Sequence, residues 1–206
     1  MTARFDAVYG ALVDDRRWFP SPAHLMRRSA LLDVLKGYPP GRLLDVGCGA
    51  GRLLVDWDRL GHSGWGIDID AEARELAKAC VAAFDADFRI GTQLPQDERF
   101  DYLTAIEVLE HLPDPLADLR SWLRHLKVGG IVIASVPAFH RLWGRSDEWA
   151  GHVQRFEPAE FANLMETAGL RVLSTHLWGF PLASLTRHAS GIAARIKMSR
   201  RGRGMD

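Results

Sequence analysis

Residues 107–111 read EVLEH, so Glu107, Glu110 and His111 stand at i, i+3 and i+4. On one turn of helix this spacing puts two carboxylates and an imidazole on a single face. Three kinds of chemistry use such a set. One is a hydrogen-bonded anchor that holds a loop. Another is proton transfer, with His111 as general base beside a carboxylate. The third is a divalent cation, because carboxylate oxygens and imidazole nitrogens together suit a hard or borderline ion. Further along, His152 in GHVQRFEPAEF supplies a second candidate base or a fourth ligand.

The stretch VPAFHRLWGRSDEWAGHVQRF surrounds that histidine with Trp143, Trp149, His140 and Arg155. Two tryptophans, two histidines and alternating charges in one long connection fit a substrate-recognition loop better than a simple link between elements.

A second concentration of chemistry lies upstream, in RLLDVGCGAGRLL. Gly47, Gly49 and Gly51 form G-x-G-x-G behind an apolar run that carries Asp45. A glycine turn between a strand and a helix is the context of a nucleotide site. The third glycine of the dinucleotide pattern is missing, since Arg52 stands at its position. A pyrophosphate would also be repelled by Asp45, whereas an ammonium group would be attracted. Asp68 ends the next strand about 20 residues on, where a carboxylate accepts both ribose hydroxyls. An adenosine with a cationic amino-acid tail and no phosphate meets these demands, and S-adenosylmethionine is that molecule. An NAD-dependent dehydrogenase is disfavoured by Arg52 and Asp45.

Strand-like and helix-like segments alternate from Arg42 onward and would place both clusters together. RLLDV, GWGIDI, ADFRIG, FDYLTAIE, IVIASVP and LRVLSTHLWG read as six strands. Between them, Ala73, Leu76, Ala77, Cys80, Val81 and Phe84 mark one apolar helix face behind an Asp70 cap. DPLADLRSWLRHL is a second helix. A third has Pro158 in its first turn and Gly169 as its stop. Such alternation predicts an α/β fold, doubly wound, with a mainly parallel sheet of six or seven strands and helices on both faces. Its ligand crevice would open at the carboxyl ends of the strands. One domain is expected, with residues 1–41 a helical lead-in or lid, 42–178 the cofactor-binding core and 179–206 a basic C-terminal helix or tail. In the lead-in, Ser21 would cap a helix that Pro39 and Pro40 stop. Trp18 and Phe19 would cover the cofactor, and Arg27 or Arg28 would face its carboxylate.

Composition agrees with a globular protein, 47% apolar and 25% charged, with 26 basic and 26 acidic residues among 206. The zero net charge argues against nucleic acid as the main partner. Cys48 and Cys80 form no disulfide framework, and no long apolar segment is present, so a cytoplasmic location is expected. The C-terminal Arg/Lys cluster fits a solvated helix first and contact with a membrane surface second.

The motifs LLDVGCGAG, GIDID, FDYLTAIEVLEHLPDP and LRHLKVGGIVIASVP resemble those of the class I S-adenosylmethionine-dependent methyltransferases, a Rossmann-like family. The resemblance extends over residues 43–177. It implies that Asp45, Gly47 and Gly49 hold the methionine end, with Gly51 also among the cofactor-binding residues. It further implies Asp68 on the ribose, Ile69 on the adenine face, Thr92 or Gln93 at the adenine edge and Ile106 beside the methionine. Many members carry an acid where Thr92 stands. The Glu107, Glu110, His111 and His152 set resembles the metal-binding stretch of the ubiquinone-biosynthesis O-methyltransferases and of the small-RNA 3′-end 2′-O-methyltransferases. The function expected is methyl transfer to a small-molecule acceptor at oxygen, with His111 and His152 as catalytic candidates and a divalent metal not favoured. An RNA 3′-end 2′-O-methyltransferase and a non-catalytic S-adenosylmethionine-binding module are the alternatives. The seventh strand usual in the family is missing or replaced by the basic C-terminal segment.

Overall fold

The computed structural model describes residues 3–6, 10–13 and 22–178. Its main sheet has five strands, all parallel: β3 (Arg42–Val46), β4 (Ser63–Ile67), β5 (Phe88–Gly91), β6 (Phe100–Ile106) and β7 (Leu126–Ser135). Their spatial order is β5-β4-β3-β6-β7. The order reverses between β3 and β6, so the connections leaving those two strands diverge to opposite faces. A crevice must open between them at the carboxyl end of the sheet.

Side chains alternate across the sheet and feed two cores. Leu43 and Ile133 face a layer made by α1 (Pro22–Leu35), α2 (Arg52–Arg59) and α3 (Ala71–Ala83), where Leu35, Trp57 and Cys80 are buried. Leu44, Val46, Leu103 and Ala105 face the other side, against α4 (Pro115–Leu123) and α6 (Pro158–Thr167), where Leu119, Trp122 and Met165 are buried. Helix starts follow the expected residues. The side chain of Asp70 accepts from the Ala73 N–H at 2.8 Å, and that of Asp114 accepts from Ala117 at 3.0 Å. Pro158 occupies the first turn of α6.

Two expectations are corrected. The lead-in is not all helix: β1 (Ala3–Asp6) and β2 (Gly10–Val13) form an antiparallel hairpin beside α3. The sheet has five strands in the described residues rather than six or seven. Over residues 171–178 no strand forms. Leu170 and Val172 pack on the α4/α6 core, but Leu173 and Leu177 point into solvent and the backbone has no ladder partner among the described residues. The expected Ser21 cap, Trp18 and Phe19, the seventh-strand region and the basic tail lie outside the described residues. No helix among the described residues is long and apolar enough to cross a membrane.

Candidate active site

The glycine turn leaves β3 and hooks under the end of β4, with Gly47 and Cys48 donating to the Ile67 carbonyl at 2.8 and 3.0 Å. Two of its glycines are required by shape. Gly47 has φ of 71°, and a Cβ there would lie 2.5 Å from a Val108 methyl carbon. Gly51 has φ of 78°, and a Cβ there would meet the Ala77 backbone at 2.9 Å, where α2 packs on α3. Only glycine accepts both conditions at low cost. Gly49 is different: a Cβ there would meet nothing within 4 Å, so its backbone borders open space.

Two carboxylates frame this opening. Asp45 is 2% exposed and accepts from the Thr104 hydroxyl of β6. Burial raises its pKa to about 7, with Asp68 adding to the rise and the Thr104 hydrogen bond opposing it. Asp68 accepts from the Gly49 and Asp70 N–H groups, both at 2.9 Å, and so ties the turn to the exit of β4. Arg74 donates to the carbonyls of Asp68 and Ile69 and fixes that exit from the other side. Ile69 is 92% exposed at the rim, an apolar surface that no described residue covers. Thr92 and Gln93 are exposed beyond β5, and Ile106 is half-buried at the end of β6.

Glu107 follows Ile106 with a positive φ of 57°, outside any helix. The expected single face of Glu107, Glu110 and His111 is therefore corrected: only Leu109–His111 forms a 3-10 turn. Glu107 instead pairs with Arg27 of α1 at 2.6 Å and accepts from Ser135 at 3.0 Å. Arg28, the next residue of α1, turns to the buried Asp56 of α2. It is a helix-to-helix anchor, while Arg27 is the arginine that reaches the strand ends.

Glu110, His111 and His152 do come together, with one ligand atom from each lying within 4.8 Å of the others. The two imidazoles meet edge to face, with centroids 4.8 Å apart. Nε2 of His152 lies 3.8 Å from Oε1 of Glu110. Glu110 is fully buried, and neither of its carboxylate oxygens has a hydrogen-bond partner among the described residues. Burial and the charge of Glu107 raise its pKa to about 8. Its carbonyl accepts from Val153 and Gln154, which clamps the 152–155 segment onto the turn.

The connection after β7 contains α5 (Arg145–Ala150) and carries His152. Trp149 is 91% exposed and Trp143 42% exposed near this segment, while His140 pairs with Glu160 at 2.6 Å and Arg155 is buried. Two exposed tryptophans suit a recognition surface; His140 and Arg155 serve the architecture of the connection.

Comparison with known proteins decides the family. Residues 20–175 match the model of the methyltransferase domain family. The chain belongs to that family. The ubiquinone biosynthesis O-methyltransferase of Xanthomonas campestris pv. campestris is 33% identical over 153 residues, covering 65% of this chain and 64% of its own length. The chain thus spans just under two thirds of that relative. Among solved structures, a SAM-dependent methyltransferase from Aquifex aeolicus aligns with a TM-score of 0.60 at 18% identity, over 75% of this chain and 86% of the other. Magnesium protoporphyrin IX methyltransferase from Synechocystis PCC 6803, solved with bound SAH, aligns at 0.59 with 17% identity over 73% and 74%. At these identities the two structures speak for the methyltransferase-domain fold alone.

Some residues of this methyltransferase domain carry no sequence signal. Thr104 is a polar residue in the middle of an apolar strand, and that anomaly is the only hint of its bond to Asp45. Asp147 lies five residues before His152, a spacing with no meaning until α5 and its turn are built.

Proposed function

We propose that the chain transfers the methyl group of S-adenosylmethionine to an oxygen of a small acceptor. The observation that carries this reading is a buried carboxylate, Asp45, behind a glycine turn whose Gly49 borders open space. A cationic amino-acid tail fits that charge, and a phosphate does not. Asp68 would take the ribose, Ile69 the adenine face, Thr92 or Gln93 its edge and Ile106 the methionine. The cofactor supplies an electrophilic methyl carbon, so the chain's own work is alignment, exclusion of water and removal of the acceptor proton. His111 and His152 would take that proton. The O-methyltransferase relatives support oxygen as the acceptor atom.

A pH series tests the cofactor reading. In the free protein Asp45 titrates near 7, and a ligand ammonium favours its ionised form. Binding then releases a proton, so affinity for S-adenosylhomocysteine rises with pH through 7 and falls by up to about tenfold per unit below it. Calorimetry from pH 5.5 to 8.5 should show that slope in the wild type and its loss in Asp45→Asn. A flat wild-type profile would remove Asp45 from the site.

A divalent metal is a second reading, favoured by the unpartnered buried oxygens of Glu110 beside two imidazoles. Glu110, His111 and His152 would hold the ion, with Glu107 already engaged by Arg27. The ion would act as a Lewis acid on the acceptor oxygen. Titration of chelator-treated protein with Mn²⁺ or Zn²⁺ should give one site, lost in His152→Gln. No binding in the wild type would leave the histidines as bases only.

A further inference from the structure

The geometry points to Asp147 as a positioning residue that fixes the tautomer and orientation of His152, with Arg155 holding Asp147 in place. Helix α5 has six residues, and the one buried among them is this carboxylate, 1% exposed. Trp149 of the same helix is left in solvent. A surface helix ordinarily buries an apolar stripe, so α5 serves to bury a charge.

The carboxylate is fully engaged. Arg155 grips it with both arms, Nε to Oδ1 at 2.9 Å and Nη2 to Oδ2 at 3.0 Å. The Gly144 N–H donates to Oδ2 at 2.9 Å. Both oxygens therefore face N–H donors, two of them from a guanidinium, which leaves no place for a proton on the carboxylate. Arg155 is itself 2% exposed and anchored to the Ala138 carbonyl at 2.8 Å. Nδ1 of His152 lies 2.9 Å from Oδ1 of Asp147. An ionised carboxylate only accepts, so Nδ1 carries the proton and Nε2 keeps its lone pair, on the side of Glu110.

The same turn sets the second imidazole. Gly151 ends α5 in the left-handed region at φ of 75°, and its carbonyl lies 3.2 Å from Nδ1 of His111. The backbone carbonyl also only accepts. Both Nε2 atoms are thereby left unprotonated in the neutral rings, as a base or a metal ligand requires. Asp147 is buried among protein groups and acts through His152. The role of His152 in methyl transfer rests on the function proposed above, but its tautomer does not.

The test is a long-range ¹H–¹⁵N correlation spectrum of the full chain with labelled histidine, treated with chelator. His152 is assigned by its disappearance in His152→Gln. A charge-assisted hydrogen bond of this kind predicts at least a tenfold excess of the Nδ1–H form. In Asp147→Asn that excess should be lost, while affinity for S-adenosylhomocysteine and the far-ultraviolet circular dichroism stay unchanged. A wild-type His152 in the Nε2–H form overturns the inference, as does an unaltered tautomer in folded Asp147→Asn. If that variant fails to fold, the wild-type spectrum alone decides. Loss of cofactor binding by the wild type would fault the methyl-transfer reading and leave the tautomer result standing.

Discussion

Asp68→Ala should weaken binding of S-adenosylhomocysteine about 100-fold while the protein stays folded. On the proposed reading Asp68 would make two charge-assisted hydrogen bonds to the ribose diol, each worth about 1.5–3 kcal/mol before the carboxylate's desolvation is charged against them. A second effect adds to it. The same carboxylate accepts from the Gly49 and Asp70 N–H groups, so its removal also loosens the turn that the cofactor must meet. Asp68→Asn keeps a carbonyl oxygen and drops the charge, so it should fall between the two. Titration calorimetry measures the affinities, with thermal unfolding as the check on folding. Equal affinities for the wild type and Asp68→Ala would mean that the sugar is held elsewhere.

Glu110→Gln should raise stability at alkaline pH, by an amount on the order of 4 kcal/mol above pH 8. The sign follows from proton counting. Glu110 has a pKa of about 8 in the folded protein against 4.5 as the ordinary value. Between those values the folded state keeps a proton that the unfolded state has released. Stability therefore falls as pH rises through this window, and the loss is complete above 8. Glutamine has the same shape and no proton to lose. Urea unfolding at pH 5, 7 and 9, in chelator, should show the two proteins close at pH 5 and diverging upward. Parallel profiles would mean that the carboxylate is paired or hydrated in solution.

The two predictions differ in how far the residues alone led to them. Asp68 was legible because its role depends on local order: strand, acid, then a capped helix, about 20 residues past a glycine turn. The β3-to-β7 core and helices α3, α4 and α6 were legible for the same reason, since period and capping residues are written locally. Glu110 was legible as a candidate only. Its complete burial, and its lack of partners among the described residues, arise from the packing of the 152–155 segment over the turn, a long-range event. The expectation that Glu107 shares its face failed because its positive φ breaks the helical register after Ile106. The β1–β2 hairpin was missed because four-residue strands near a chain terminus carry too few alternations to display a period. The run after Leu170 pairs with no strand among the described residues. LRVLSTHLWG has strand-like composition, but composition does not supply a neighbouring strand to pair with.

The function proposed for this chain depends on one ligand meeting one turn. Side-by-side titration of the purified wild-type chain at pH 8 with S-adenosylhomocysteine and with NAD tests it most directly. Saturable binding of about one S-adenosylhomocysteine per chain and no heat from NAD are expected, because Asp45 suits a cationic tail and not a pyrophosphate, and Arg52 stands where the dinucleotide turn needs its third glycine. Binding of NAD in preference, or no response to S-adenosylhomocysteine, would contradict it.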